Sequence, residues 1–552
     1  MGTFTGLLVN FAEKELLVRG CSWGHQALRL KARDGVSVSR RNFMKGFIIG
    51  AATVGGVTIL LPRFSEILMH RTWDKVTDVV VIGFGCAGAA AAIEAHDTGA
   101  KAVLLEKEAE PGGSTAICGG VIYAAGTLLQ EKYGIHDSPN EMFKYWMATG
   151  KGLNDPELVR VIADRSSENV DWLLELGAKA VFFGYSGAEF LPEFAAVTPP
   201  KPRGIKFEGE GAGLFKILNN AVLERKIEVL LETKAIELIV NTKREVIGVK
   251  AEGKGKELYI CAKKGVIITT GGFGHNRKML KDYSPKGYKS ISVNPACNTG
   301  DGIQMARALG ADLKVMHETI GVPGTEVSRL RRGVPVVAPS AGIDLPAIFV
   351  DKNGKRFVDE SLYYDYLNEV FLVQETAFLI FDESVRKIGG SGIIQGITFG
   401  MSMIALGFTN EMDEEIKEGI VVQAPTIKDL ATKIGLNPTE LENTVNVFNE
   451  NAKSGVDPQF GRTRGLGIIK NPPFYAIETR PAFFDTIGGV SINVKAQVLD
   501  VSNKIIPRLY AAGRTTGGTI GEVYPGSGSD IQEGTCFGRI AGRNAAAEES
   551  WF

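Results

Sequence analysis

The 552-residue chain has no C-x-x-C pair and no C-x-x-C-H motif, and its six cysteines are scattered. Regular spacing for a metal, iron–sulfur cluster or attached haem is therefore missing, and only ligands gathered by folding could make such a site. Neither sign of charge is in excess. The formal net charge of −1 gives no footing for nucleic-acid binding. No internal repeats or low-complexity tracts appear, which sets aside solenoid architectures. The apolar stretch from Gly46 to Leu61 is short of the roughly 20 residues a membrane span needs. What remains is a globular chain too long for one core, so two domains plus an extension are expected.

What is present centres on Thr77 to Lys107. Val79 to Ile82 is a β-branched apolar run of the kind that forms a buried parallel strand. It leads into Gly83-Phe-Gly85-Cys-Ala87-Gly88, and alanine-rich sequence then carries helix to about His96. In such a loop the first glycine permits the turn and the second lets backbone N–H groups approach a pyrophosphate. The third lets helix pack on strand. A second strand, Ala102 to Leu105, ends at Glu106, placed to accept from a ribose hydroxyl, with Lys107 next to it. Strand before, helix after and acid at this distance make a dinucleotide site rather than a plain turn.

Three further segments extend the site. Gly112-Gly113-Ser114 through Gly119-Gly120 is a second glycine-rich loop, and the strand Val266 to Thr270 ends in Gly271-Gly272. Near the C-terminus, Leu509 to Ala512 is followed by Gly513-Arg514 and a last Ala/Gly-rich helix. A chain that returns its C-terminus to the first strand suits the long reach of FAD better than NAD.

On these residues, with Asn298-Thr-Gly-Asp301-Gly and Gly354-Lys-Arg-Phe-Val-Asp-Glu, the chain from about Lys75 to its end resembles the fumarate reductase and succinate dehydrogenase flavoprotein superfamily. The resemblance implies an α/β fold: a Rossmann-like FAD-binding domain with an inserted α+β cap. The divisions are 1–74 for the N-terminal extension, 75–323 and 485–552 for the FAD domain, and 324–484 for the cap. It also implies FAD contacts from Gly83, Gly85, Ala87, Gly88, Glu106, Lys107, Gly112, Gly113, Ser114, Gly119, Gly120, Gly271, Gly272, Asp301, Gly513, Arg514, Ser529 and Ile531. The flavin is expected to be non-covalent, because the family's attachment histidine has no counterpart in Gly113 to Cys118. At Arg514 many relatives carry Glu or Asn, a departure with no explanation in the sequence.

The substrate positions depart from the fumarate reductase pattern. Its proton-delivering Arg, in a segment like RFVNExxxRD, is matched by Tyr364, and the Arg of GANRLGG by Tyr524. The His of an HHTMGG-like segment gives way to Phe484-Asp485-Thr486. Two dicarboxylate anions would need those cations. Tyr524-Pro-Gly-Ser-Gly528 instead resembles the YPGxG motif of 3-ketosteroid dehydrogenases, and implies that the Tyr524 O–H and Gly528 N–H hold a ketone oxygen. A tyrosine of lowered pKa would then take the α-proton. Tyr364 is the choice, with Tyr363 and Tyr366 as rivals. The expected activity is exchange of hydride with flavin N5 across the carbon–carbon bond α,β to an apolar ketone or enone. Reduction of an acrylate-type acid, with anion contacts from Arg residues such as Arg480 whose position the sequence does not give, is the alternative, as is an FAD-bound electron-carrier subunit.

Ser39-Arg-Arg-Asn-Phe-Met-Lys45 before the weakly apolar 46–61 resembles a twin-arginine export signal. It implies a periplasmic location or one on the outer face of the cytoplasmic membrane, and residues 46–61 could remain as an anchor. Without haem or cluster spacing, an external quinone or cytochrome is expected to carry the electrons.

Overall fold

The computed structural model describes residues 72–325, 345–389 and 411–552, together with the backbone of five short N-terminal strands. These strands form a unit of their own within residues 1–72. Leu7–Asn10, Glu15–Gly20 and Leu28–Lys31 pair antiparallel, and Ala51–Val54 pairs with Val57–Leu60. The twin-arginine segment 39–45 lies outside the described residues, whereas part of the apolar stretch after it is this last strand pair. Among the described residues, no helix is long and apolar enough to cross a membrane.

The second unit, Trp73–Phe552, is built on an eight-stranded sheet. Its centre is five parallel strands in the order Glu228–Leu230, Ala102–Leu105, Lys75–Ile82, Lys256–Ile268, Ile505–Ala511. The first strand in sequence lies in the middle, so chain direction switches sides between Ile82 and Ile268, and a crevice opens at those carboxyl ends. Val79, Val80 and Val81 are fully buried, as strands covered on both faces require.

Helices Cys86–Asp97 and Ser529–Ala547 pack side by side against this sheet. The contact is close because Gly534, Gly538 and Gly542 recur every fourth residue; a Cβ on Gly538 would stand 2.5 Å from the Ala87 carbonyl oxygen. Arg539 and Arg543 clamp the pair through Glu94, with Nε to carboxylate distances of 2.6 and 2.7 Å. The pairing brings the N-termini of both helices to the crevice.

Strand Phe474–Thr486 is the spine of a second sheet. Its first half pairs with Ala377–Asp382 and Val421–Ala424, and its second half with Thr319–Gly324 and Ile291–Ser292. It runs unbroken past Phe484, where the sequence suggests a domain border. Two smaller apolar cores lie between residues 345 and 477, one around Phe349 and Phe371 and one around Leu430 and Phe448. Tyr363 and Tyr364 belong instead to the large core shared with the FAD sheet.

The sequence alone predicts a helix opening at Asn154-Asp-Pro, an irregular loop over 185–213, a glycine-rich stretch from Gly389 to Gly400, and amphipathic helices around 427–434 and 438–452. Asp155 caps helix Pro156–Glu175 by accepting from the N–H groups of Glu157 and Leu158, as the Asn-Asp-Pro order predicts. Helices Ile427–Lys433 and Pro438–Ser454 match their apolar periodicity. Residues 185–213, which read as irregular, contain helix Pro192–Ala195, strand Gly204–Phe207 and the start of helix Glu210–Glu224. Gly204–Phe207 finds its partners 80 and 20 residues back, in Val121–Tyr123 and Ala180–Gly184, and no local pattern carries that pairing. The glycine-rich stretch at 390–400 lies outside the described residues.

Candidate active site

A cavity of about 670 Å³ occupies the crevice. Its lining includes Gly83 to Ala87, Glu106, Lys107, Gly113, Ser114, Cys118, Gly119, Gly271 and Asp301. It also includes Tyr364, Phe484, Asp485, Gly513, Arg514, Tyr524, Gly528, Asp530 and Ile531.

The first loop is built for a close-lying ligand. Gly83 has φ +101°, and a Cβ there would stand 2.5 Å from the Thr269 carbonyl oxygen. Gly88 meets Gly83 still more tightly, with a virtual Cβ 2.0 Å from its carbonyl oxygen. Glu106 accepts from the N–H groups of Phe84 at 2.9 Å and Glu108 at 3.0 Å, so the ribose acid is already fixed to the loop. Lys107 Nζ bonds Asp301 at 2.7 Å and Thr299 at 2.8 Å. Burial works against the charge of Asp301, but Lys107, Thr299 and Lys234 outweigh it and hold the carboxyl below its usual range.

Not every residue assigned to FAD contact reaches the cavity. Gly88, Gly112, Gly120, Gly272 and Ser529 stand behind the lining. A Cβ on Gly272 would meet Thr486 Oγ1 at 2.2 Å and one on Gly120 the Glu210 backbone at 2.3 Å. Ser529 Oγ donates to the Gly526 carbonyl at 2.8 Å. These residues let walls approach one another from behind the cavity lining.

The Tyr524–Gly528 turn is held from four sides. Asp365 Oδ2 accepts from the Tyr524 N–H at 3.1 Å, and Tyr145 donates to the Pro525 carbonyl at 2.6 Å. Gly187 bridges Gly526, and the Ser527 N–H donates to Ser186 at 2.8 Å. Gly528 sits at φ +101° as the cap of the last helix, where a Cβ would strike Ile122 at 2.6 Å. The Tyr524 hydroxyl accepts from the Asp530 N–H at 3.2 Å. Burial, with the charge of Asp530 next, drives its pKa well up, so it stays a neutral O–H donor.

Tyr364 is 1% exposed, and its oxygen accepts from the Tyr363 hydroxyl at 2.8 Å. Burial raises its pKa well above the usual phenol value, although hydrogen bonds from Tyr363 and Ser527 work in the opposite direction. The lowered pKa expected of a base is thus overturned: with its oxygen already accepting, Tyr364 is set to give a proton. Tyr363 lies behind it, outside the cavity lining, and Tyr366 pairs with Glu193. Phe484 closes the wall, 5.6 Å from the Tyr364 ring and 6.0 Å from that of Tyr524. Arg480 is 45% exposed and bonded to Glu478 at 2.7 Å. It does not line the cavity, which removes it as an anion contact.

Sequence reading missed the charges beneath these rings. Arg514, 7% exposed, bonds Glu533 and has its Nε 3.1 Å from Asp530 Oδ1. Its Nε and Nη1 have no hydrogen-bond partner. The unpartnered Nη1 on the cavity wall fits a ligand that accepts hydrogen bonds, as does the helix N-terminus after Gly85, where no cap side chain bonds the first turn. FAD fits these residues. Asp530-x-x-Glu533, one helical turn apart and facing a lone Arg, was the available signal.

Residues 78–531 match the family model described as FAD binding domain. The chain belongs to that family and is an FAD-dependent oxidoreductase acting on CH–CH bonds. It is 34% identical to a fumarate reductase (cytochrome) of Shewanella frigidimarina, covering 85% of this chain and 77% of that one. It is 32% identical to a urocanate reductase of Eggerthella lenta, covering 95% and 84%. A solved 3-ketosteroid-Δ4-(5α)-dehydrogenase of Rhodococcus jostii, in complex with 4-androstene-3,17-dione, superposes with TM-score 0.69 at 30% identity, covering 87% and 99%.

Proposed function

We propose that the protein reduces the C=C bond of an apolar cyclic enone, the ketosteroid-like member of its family's range. The observation that carries this is the wall formed by Tyr364, Phe484 and Tyr524, where aromatic faces and two neutral hydroxyls stand. Such a wall suits an uncharged ligand, because Arg514 of the described lining is already engaged by Asp530 and Glu533, and a carboxylate buried there would lose its hydration without a cation of its own. When bound, FAD supplies the hydride donor for the β-carbon. The Tyr524 O–H and the Gly528 N–H hold the carbonyl oxygen as negative charge develops on it, at the moment when donors in a dry site contribute most. Tyr364, kept protonated by burial, gives its proton to the α-carbon. Tyr363 donates to the Tyr364 oxygen and steadies the phenolate that remains. Electrons come from an external quinone or cytochrome.

The second reading, reduction of an acrylate-type acid, is favoured by the higher identity to the fumarate reductase and urocanate reductase. Anaerobic stopped-flow separates the two. Holoprotein with reduced flavin is mixed in turn with a cyclic enone, fumarate and an acrylate, and recovery of oxidised-flavin absorbance is followed. Fast reoxidation by the enone alone is expected. Reoxidation by fumarate or acrylate but not by the enone overturns the reading in favour of the acid. No response to any of the three overturns both and leaves the carrier subunit.

A further inference from the structure

The ionisable cluster on the cavity wall is given no proton-transfer role in the chemistry above, and its charges do not balance. Glu533 is fully buried; it pairs with Arg514 and accepts from Thr516 Oγ1 at 2.7 Å. Asp530 approaches the same guanidinium from the last helix, and Asp485, 4% exposed, comes from the long strand. One cation thus serves three carboxyl groups, of which Asp485 and Glu533 are buried and Asp530 keeps 21% of its side chain exposed, and leaving two buried anions unpaired carries a large desolvation cost. Burial and the charge of Asp530 push Asp485 well above its usual range, so it is held neutral. Asp530 alone is poised: burial raises it and Arg514 restrains it, with the result near pH 6. Of the remaining groups facing it, Tyr524, Tyr364 and Cys118 are all neutral at that pH, each raised by burial.

We propose that Asp530 is the redox-linked proton acceptor of this flavin site, taking a proton from solvent when the flavin is reduced and releasing it on reoxidation. Arg514 and Glu533 are the fixed charges against which it titrates. The balance is simple. Two electrons from an external reductant such as dithionite enter the flavin with the proton its own reduction takes up, and one further proton from solvent forms an O–H bond on the Asp530 carboxylate. When an acceptor removes the electrons, that bond breaks and the proton returns. The driving force is the negative charge added beside a carboxylate that shares its cation with another. The proposal needs bound FAD but not the enone reading.

The test is a spectroelectrochemical titration of the holoprotein with mediator dyes between about pH 5 and 8.5. One proton bound per two electrons shifts the equilibrium tenfold per pH unit, about 30 mV. Above about pH 6 the wild-type midpoint should fall more steeply with pH than that of Asp530→Asn, by about that amount. Asp530→Glu, which keeps a titrating carboxyl, should restore the steeper fall. Glu533→Gln, which removes a neighbouring negative charge, should move its onset to lower pH. If Asp530→Asn does not retain FAD, the Glu533→Gln onset decides. An unchanged slope in Asp530→Asn, or an unmoved onset in Glu533→Gln, overturns the proposal.

Discussion

Asp365→Asn should make stability depend on pH differently, and the size follows from one buried carboxyl. Asp365 opens the helix Tyr364–Gln374 and accepts from the Gly321 N–H at 2.8 Å and the Tyr524 N–H at 3.1 Å. It thereby ties the helix to strand Thr319–Gly324 and to the substrate turn. Burial lifts its pKa from 3.8 to about 7, against the pull of Lys286 and the two N–H donors. A carboxyl raised in the folded state contributes stability in full below pH 3.8 and loses it as pH rises to about 7. Between pH 5 and pH 8 the loss is about 2.5 kcal/mol, from 1.36 kcal/mol per unit. Asparagine has no charge to desolvate and lacks this dependence. For a cooperative unit of roughly 480 residues the unfolding entropy is about 1 kcal/mol per kelvin. The melting temperature of Asp365→Asn relative to wild type should therefore rise by about 2–3 °C from pH 5 to pH 8. Scanning fluorimetry of both holoproteins across that range is the assay. A difference that stays constant with pH, or falls, refutes the argument that Asp365 is ionised at a desolvation cost.

Two further substitutions separate binding from catalysis. Tyr524→Phe removes the hydroxyl donor and should slow enone-driven flavin reoxidation about 10²- to 10³-fold, with FAD content unchanged by absorbance. Gly88→Ala forces a Cβ to 2.0 Å from the Gly83 carbonyl, so the loop must open and the purified protein should lose FAD, read as the ratio of flavin to protein absorbance.

Much of the cofactor half was written locally. The run Val79–Ile82, the spacing of Gly83, Gly85 and Gly88, and Glu106 beyond the second strand each depend on neighbours within about thirty residues. Steric limits at a glycine or the burial of a β-branched run act over such distances whatever the rest of the chain does. The capping of Asp155 was equally readable. The strand Gly204–Phe207 was not, since its partners come from two remote segments and four residues are too short a run for alternation to decide.

Tertiary structure decided the chemistry of the substrate half. That Tyr364 and Tyr524 face one cavity could be expected from motif positions, but their protonation could not. A phenol's pKa is set by how much water it loses and which dipoles point at it, and those are properties of packing between the cap strand, the last helix and the turn at Pro525. Arg480 and Arg514 make the same point in opposite directions. In the sequence either could serve an anion; folding leaves the first on the surface beside Glu478 and buries the second among Asp485, Asp530 and Glu533. The amino-acid order alone determined where a dinucleotide would lie. Only the fold determined which side chains around it are charged, because desolvation and Coulomb energies depend on distances between residues the sequence keeps apart.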